Sequence, residues 1–298
     1  MRETRYYKVA GHQFCISGEA EVFPLMSNYE PFYCDNISAH EITFALSVES
    51  GEAPEYTEEL RQEDESLRVG EHNSGLGQEI ICGKTANDMP VFEFRWWKQT
   101  AGYLVCAPDY NEGQIITTGR YTKMAIDNAL MVLFALATAN KGTVLFHAAV
   151  VSHKGKGYMF LGPSGTGKST HARLWLNYIE GTSLMNDDNP VVRIDDDGLA
   201  VVYGSPWSGK TPCYRNVHCP LGGIVMLSQA PYNKIHRLNG IHAYVVLVSS
   251  ISGKRWDTKI ADGLHQTENA LASEVPTWHL ECLPDKEAAQ MCMSAVTS

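Results

Sequence analysis

The residues best suited to chemistry are Gly162-Pro163-Ser164-Gly165-Thr166-Gly167-Lys168-Ser169-Thr170. They fit the spacing G-x-x-x-x-G-K-[ST], with Gly162, Gly167, Lys168 and Ser169 at the fixed positions. Each residue type has a physical reason. Glycines let backbone N–H groups converge on an anion. A lysine at this position reaches the β- and γ-phosphates of a nucleotide, and the hydroxyl after it is placed to ligate Mg²⁺. The flanks agree: residues 157–161 read as a buried strand, and 168–179 read as a helix with Ala172, Trp175, Leu176 and Ile179 on one face. A strand, a glycine loop and a helix N-terminus together make an anion site.

The second reactive group is Asp187-Asp188, at the end of a short strand expected over 183–185. Phosphoryl transfer needs a carboxylate near the metal and a base near the nucleophile. Adjacent side chains on an extended chain point to opposite faces, so each aspartate can serve one of these needs. A plain Asx turn before Pro190 is the alternative. Downstream, residues 204–212 form a Gly/Pro-rich loop carrying Lys210, with Arg215 soon after. Such a loop either covers the phosphates, with Lys210 or Arg215 neutralising charge, or is a surface connection. Asp195-Asp196-Asp197-Gly198 also fits D-x-x-G, yet Asp-Gly between apolar runs marks a hairpin. Asn233-Lys234 begins a guanine-recognition motif, but His236 stands where an Asp is required, so a GTPase is not expected. Cys213, His218 and Cys219 lack the spacing of a zinc site.

The elements that must position these groups divide the chain. Residues 6–10, 12–17, 41–48, 79–84, 91–97 and 103–107 read as short strands, which predicts a β-rich unit over 1–118. The acidic stretch 49–65 reads as a solvated loop or helix face, and Trp96 and Trp97 as packing residues. A helix over 120–140, closed by Gly142, is expected to open the second unit, 119–298. Residues 143–153 read as one buried strand, forming a hairpin with 157–161 through the turn at 154–157. His147 lies inside that strand and by itself reads as a core histidine. Residue 222 opens another core strand, 240–251 is ambiguous between helix and strand, and helix, strand and helix follow over 257–274, 277–282 and 285–296.

Composition sets bounds. The 298 residues are 44% hydrophobic and 19% charged, as in a soluble globular protein with one or two domains. The net charge of −10 argues against a nucleic-acid partner held by a basic surface. The start of the chain lacks an apolar leader core, the apolar run 129–139 is too short to cross a bilayer, and no membrane contact is expected. Eight cysteines without a C-x-x-C pair read as reduced thiols, which leads to the expectation of a cytoplasmic protein.

With His147, the glycine loop, Asp187-Asp188 and the Gly204-Ser205-Pro206-Trp207-Ser208-Gly209-Lys210 loop in this order, residues 140–298 resemble the HPr kinase/phosphorylase family. The resemblance implies the nucleotide fold that this family shares with phosphoenolpyruvate carboxykinases, an α/β domain with a mixed sheet. It implies ATP and Mg²⁺ as cofactors, with residues 162–170 holding the nucleotide. Lys168 and Ser169 would bind phosphates and metal, Asp187 would be the base, Asp188 would serve the metal side, and His147 would tune the pair. Residues 1–118 match nothing in that family's usual first domain. The expected activity is ATP-dependent phosphorylation of a hydroxyl, of serine above all, in a small molecule, peptide or protein. A carboxykinase-like enzyme and a nucleotide-binding sensor without turnover are the alternatives. The oligomeric state, a homo-oligomer included, stays open.

Overall fold

A computed structural model describes residues 1–35, 41–63, 77–209 and 211–298. The chain divides into two compact units, Met1–Ala137 and Thr138–Ser298. It is mixed α/β, with a mixed sheet in each unit and a β-rich first unit.

The first unit runs β1 (Arg2–Val9), β2 (His12–Glu19), a 3-10 segment (Ala20–Phe32), β3 (Ile42–Ser50), β4 (Thr57–Glu63), β5 (Gln78–Lys84), β6 (Pro90–Trp96), β7 (Gln99–Cys106), β8 (Glu112–Thr117) and helix α1 (Thr122–Thr138). The sheet order is β1-β2-β3-β8-β7-β6-β5-β4. The pairs β2–β3 and β3–β8 are parallel; the other neighbours are antiparallel. Alternation in these strands turns Phe14, Phe44 and Leu46 inward. Phe14 and Phe44 stack at 4.7 Å, and Phe134 of α1 meets both edge-on at 6.5 Å.

This packing corrects the expected boundary at 118/119. Helix α1 belongs to the first unit, because it closes that unit's core rather than opening the second. Its close approach requires glycine: a Cβ on Gly102 would lie 2.8 Å from Ile116 O and 3.1 Å from Ala125 Cβ. Residues 57–63 of the acidic stretch form strand β4, antiparallel to β5 at the sheet edge, and not a loop or helix face. An edge strand pairs its backbone on one side only, here with β5, and leaves the other side open. Residues 64 and 65 of that stretch lie outside the described residues.

The second unit runs β9 (Thr143–Leu145), β10 (Ala148–His153), β11 (Lys156–Leu161), α2 (Lys168–Tyr178), β12 (Thr182–Asp188), β13 (Val191–Ile194), β14 (Ala200–Tyr203), β15 (His218–Gln229), β16 (Lys234–Leu238), α3 (Ile241–Val248), α4 (Thr258–Glu274), β17 (Thr277–Cys282) and α5 (Lys286–Val296). Among the described residues its sheet has nine strands, in the order β12-β10-β11-β15-β14-β13-β9, with β17 joining β15 to β16. The long β15 serves two neighbours on one side: its start pairs with β14, and its last six residues pair in parallel with β17. Helices α2 and α5 cover one face over Phe160, Trp175, Val225, Leu280 and Cys292.

The single strand expected over 143–153 is two strands. The break falls at Phe146 and His147, where Phe146 N–H donates to Pro190 O (3.0 Å) and His147 N–H donates to Ser250 O (2.8 Å). The chain there passes from β13 to β11 and β12. Two ambiguities also resolve. Residues 241–248 are helical, and Asp195–Gly198 is the turn of the β13–β14 hairpin, with Asp195 Oδ1 accepting from Leu199 N (2.7 Å).

Candidate active site

The β11–α2 connection is built on glycine geometry. Gly162, Gly165 and Gly167 have φ of +149°, +80° and +110°, where an L side chain is strained. At Gly162 space is short as well: a Cβ would meet Leu227 O and Thr166 Cβ at 3.2 Å. Pro163 O accepts from Thr166 N (3.2 Å) and from Thr166 Oγ1 (2.5 Å), which folds the loop into a turn. Gln229, at the end of β15, holds its tip by donating to Gly165 O (3.2 Å). Pro163, Ser164 and Thr170 are exposed. Helix α2 starts at Lys168 with no side-chain cap, so its first-turn N–H groups face the loop with the positive end of the helix dipole.

Lys168 is buried, and its Nζ donates to Gly162 O (2.8 Å) and Pro163 O (3.4 Å). Burial pushes the ammonium pKa down, while the charges of Asp188 and Asp187 pull it back up. The Ser169 hydroxyl donates to Asp187 Oδ1 at 2.7 Å. These are hard oxygen donors with a lysine beside them, a set that fits Mg²⁺ bound to a polyphosphate.

Strand β12 delivers the two aspartates in opposite directions. Asp187 is buried toward Ser169. Asp188 Oδ1 lies 3.2 Å from His147 Nδ1, and its Oδ2 accepts from Asn189 Nδ2 at 2.8 Å. His147 is 45% exposed and sits at the strand break, so it is not a core histidine. The hydrogen bonding thus joins Ser169 to Asp187, whereas the resemblance paired the metal side with Asp188. Asp188 also has φ +148°, an outlier for a residue with a Cβ.

Loop 204–209 is stitched onto this strand end and is not a plain surface connection. Gly209 N–H donates to Asp187 O (2.8 Å), Ser208 Oγ donates to the same oxygen (3.2 Å), and Ser208 bridges Asp188. Gly204 closes the loop base so tightly that a Cβ would fall 2.0 Å from Arg215 O. Of the two expected charge neutralisers, Arg215 donates to Leu184 O instead of turning to the phosphate loop, and Lys210 lies outside the described residues.

Ser205, Ser208 and Gly209 belong to the 204–210 loop already singled out, but their hydrogen bonds appear only in the folded register. Gln229 carried no sequence signal of its own. For Asn186 the one cue is that it directly precedes the Asp pair. Of the residues considered for metal, Cys213 Sγ donates to Met185 O (3.3 Å) and His218 stacks on Tyr203 at 5.3 Å. Asn233 is structural: its Nδ2 donates to Asp285 Oδ1 (3.1 Å) and its Oδ1 accepts from Leu283 N (2.8 Å). Behind α2, the His171 imidazole accepts from the Trp175 indole N–H (3.2 Å), and burial pushes its pKa down to about 4. Among the described residues, no helix is long and apolar enough to cross a membrane.

No curated protein matches the chain. The family model described as SynChlorMet cassette protein ScmC matches residues 116–282, which hold every candidate site residue named above from His147 to Gln229. That span is more than half of the chain, and the protein therefore belongs to the ScmC family of SynChlorMet cassette proteins.

Proposed function

We propose that the second unit is an ATP- and Mg²⁺-dependent kinase of the HPr kinase-like, P-loop type. It would transfer the γ-phosphoryl group to a hydroxyl, of serine above all, in a small molecule, peptide or protein. The observation that carries this reading is the bond from Ser169 Oγ to Asp187 Oδ1, with Asp188 and His147 on the other side of the same strand end. The Ser169 hydroxyl and the Asp187 carboxylate, 2.7 Å apart, would hold the Mg²⁺ of a bound nucleotide. When bound, the metal supplies neutralisation of charge on the β- and γ-phosphate oxygens.

The chain's own residues divide the remaining work. Backbone N–H groups of residues 164–169 would bind phosphate oxygens, and Lys168 would exchange its contacts with Gly162 O and Pro163 O for phosphate. Asp187 and Ser169 hold the metal side. Asp188, oriented by Asn189 and His147, accepts the acceptor's proton as the new P–O bond forms and the bond to ADP breaks. This exchanges the two aspartate roles that the resemblance implied, and it follows the hydrogen bonding. Most of the rate gain is positioning and charge stabilisation.

The test is incubation with γ-labelled ATP and Mg²⁺ in the presence of cell extract split into small-molecule and protein fractions. Label entering either fraction is expected and identifies the acceptor class. ATP that binds without any label leaving it would replace the kinase with a sensor.

A further inference from the structure

Asn186 is fully buried and stands immediately before the two aspartates. Its Nδ2 donates to Ser205 Oγ (3.1 Å) and to Trp207 O (3.2 Å). Ser205 is buried too; its hydroxyl donates to Asn189 O (2.5 Å) and accepts from Trp207 N–H (3.2 Å). These bonds bracket Asp187 and Asp188 from both ends and tie the bracket to loop 204–209. That loop supplies the Gly209 and Ser208 bonds to Asp187 O, and Gly209 Cα leaves just enough room beside Asp188: an added Cβ would meet Asp188 Cβ and Cγ at 3.2 Å. Meanwhile Asn186 Oδ1 is buried without a hydrogen-bond partner, and Asp188 stays at φ +148°. An unsatisfied buried oxygen and a strained residue both lower stability, and both sit on one short segment. Folding alone gives no reason to keep them together.

We infer that Asn186 and Ser205 are positioning residues. They clamp loop 204–209 onto the end of β12 and so hold the Asp188 carboxylate in its strained orientation toward the acceptor. This rests on the kinase reading. Neither residue touches phosphate or metal in it. The clamp should therefore govern transfer and not nucleotide affinity.

The test compares wild type, Ser205→Ala and Asn186→Leu in two measurements. The first is single-turnover loss of γ-phosphate from MgATP with water as acceptor, together with KM for MgATP. The variants should lose about 100-fold in kcat, with KM within about threefold. Asn186→Leu keeps the branching of the side chain but is bulkier and removes both Nδ2 bonds together with the unpartnered oxygen, so thermal unfolding is followed beside turnover, which should fall with KM for MgATP held. A merely structural role would lower affinity and turnover together. The second measurement is amide hydrogen exchange without nucleotide. Trp207 and Gly209 N–H should exchange at least about tenfold faster in Ser205→Ala, while Val225 in the sheet is unchanged. If Asn186→Leu does not fold, Ser205→Ala decides both readouts. Active wild type with variants of unchanged kcat, or unchanged Gly209 exchange, would overturn the clamp and leave the kinase reading standing. Wild type that neither hydrolyses MgATP nor labels either extract fraction would overturn the kinase reading and the clamp with it.

Discussion

The two units handle backbone strain and charge differently. Among the described residues other than glycine, positive φ in the first unit falls between elements, at Ala10, Asp88, Trp97, Lys98, Tyr110 and Tyr121. The second unit has such a turn residue in Lys154, but it also strains Asp188, the last residue of strand β12. Charge divides as sharply. Residues 1–137 hold 10 Lys and Arg against 21 Asp and Glu, and residues 138–298 hold 14 against 13. The acidity of the chain therefore belongs to the first unit, and the unit with the glycine loop is near neutrality. Net charge is no obstacle to a polyanionic nucleotide there. Among the described residues, only the second unit places a strained residue other than glycine at a strand end, and it does so where a ligand would sit.

The comparison breaks most visibly at Lys168. Lys168→Ala should lower turnover of MgATP by about 10³-fold and weaken nucleotide binding, as equilibrium titration would show. No exposed lysine of the first unit should do either. Next comes Asp188. Asp188→Asn should cost about 10²–10⁴-fold in transfer with nucleotide affinity retained. Asp188→Gly should be equally inactive yet more stable by about 1 kcal/mol in chemical denaturation, because glycine accepts φ +148°. A Gly variant less stable than wild type would mean that the strain is not real.

Two glycines sharpen the contrast. Gly102→Ala pushes a Cβ against Ile116 O and should cost the first unit about 1–3 kcal/mol without changing kcat. Gly204→Ala meets Arg215 O at 2.0 Å and should displace loop 204–209, reducing turnover. The smallest effect is a pH dependence. In the unfolded chain His171 takes up a proton near its ordinary value of 6.5, but in the fold only near 4. The unfolded state binds more protons between those values, so stability falls on acidification through that window. At pH 5 the second unit should be about 2 kcal/mol less stable than at pH 7, and His171→Gln should remove most of that loss.

What could be read in advance follows the range of the interactions. The glycine loop, helix α2 and the β13–β14 turn are local, set by Gly φ requirements, apolar spacing and Asp-Gly turn chemistry, and they were legible. Strand β4 was not, because Thr57–Glu63 has a charged composition and becomes a strand only through its pairing with β5. The break at His147 was hidden because residues 144–151 are apolar apart from His147 itself and so read as one strand. Carbonyls of Pro190 and Ser250, far along the chain, interrupt it. The same holds for the site. The residue types were visible, but which aspartate faces Ser169 depends on β12 register and on the loop that Asn186 and Ser205 hold.

The central claim is the division of labour between the two aspartates. It is tested most directly by single-turnover transfer from γ-labelled MgATP by Asp187→Asn and Asp188→Asn, with MgATP binding and Mg²⁺ dependence measured on the same samples. Asp188→Asn should bind MgATP like wild type and transfer about 10²–10⁴-fold more slowly, while Asp187→Asn should need more Mg²⁺ to bind and to react. Transfer by Asp188→Asn at the wild-type rate, or an unchanged Mg²⁺ requirement in Asp187→Asn, would contradict it.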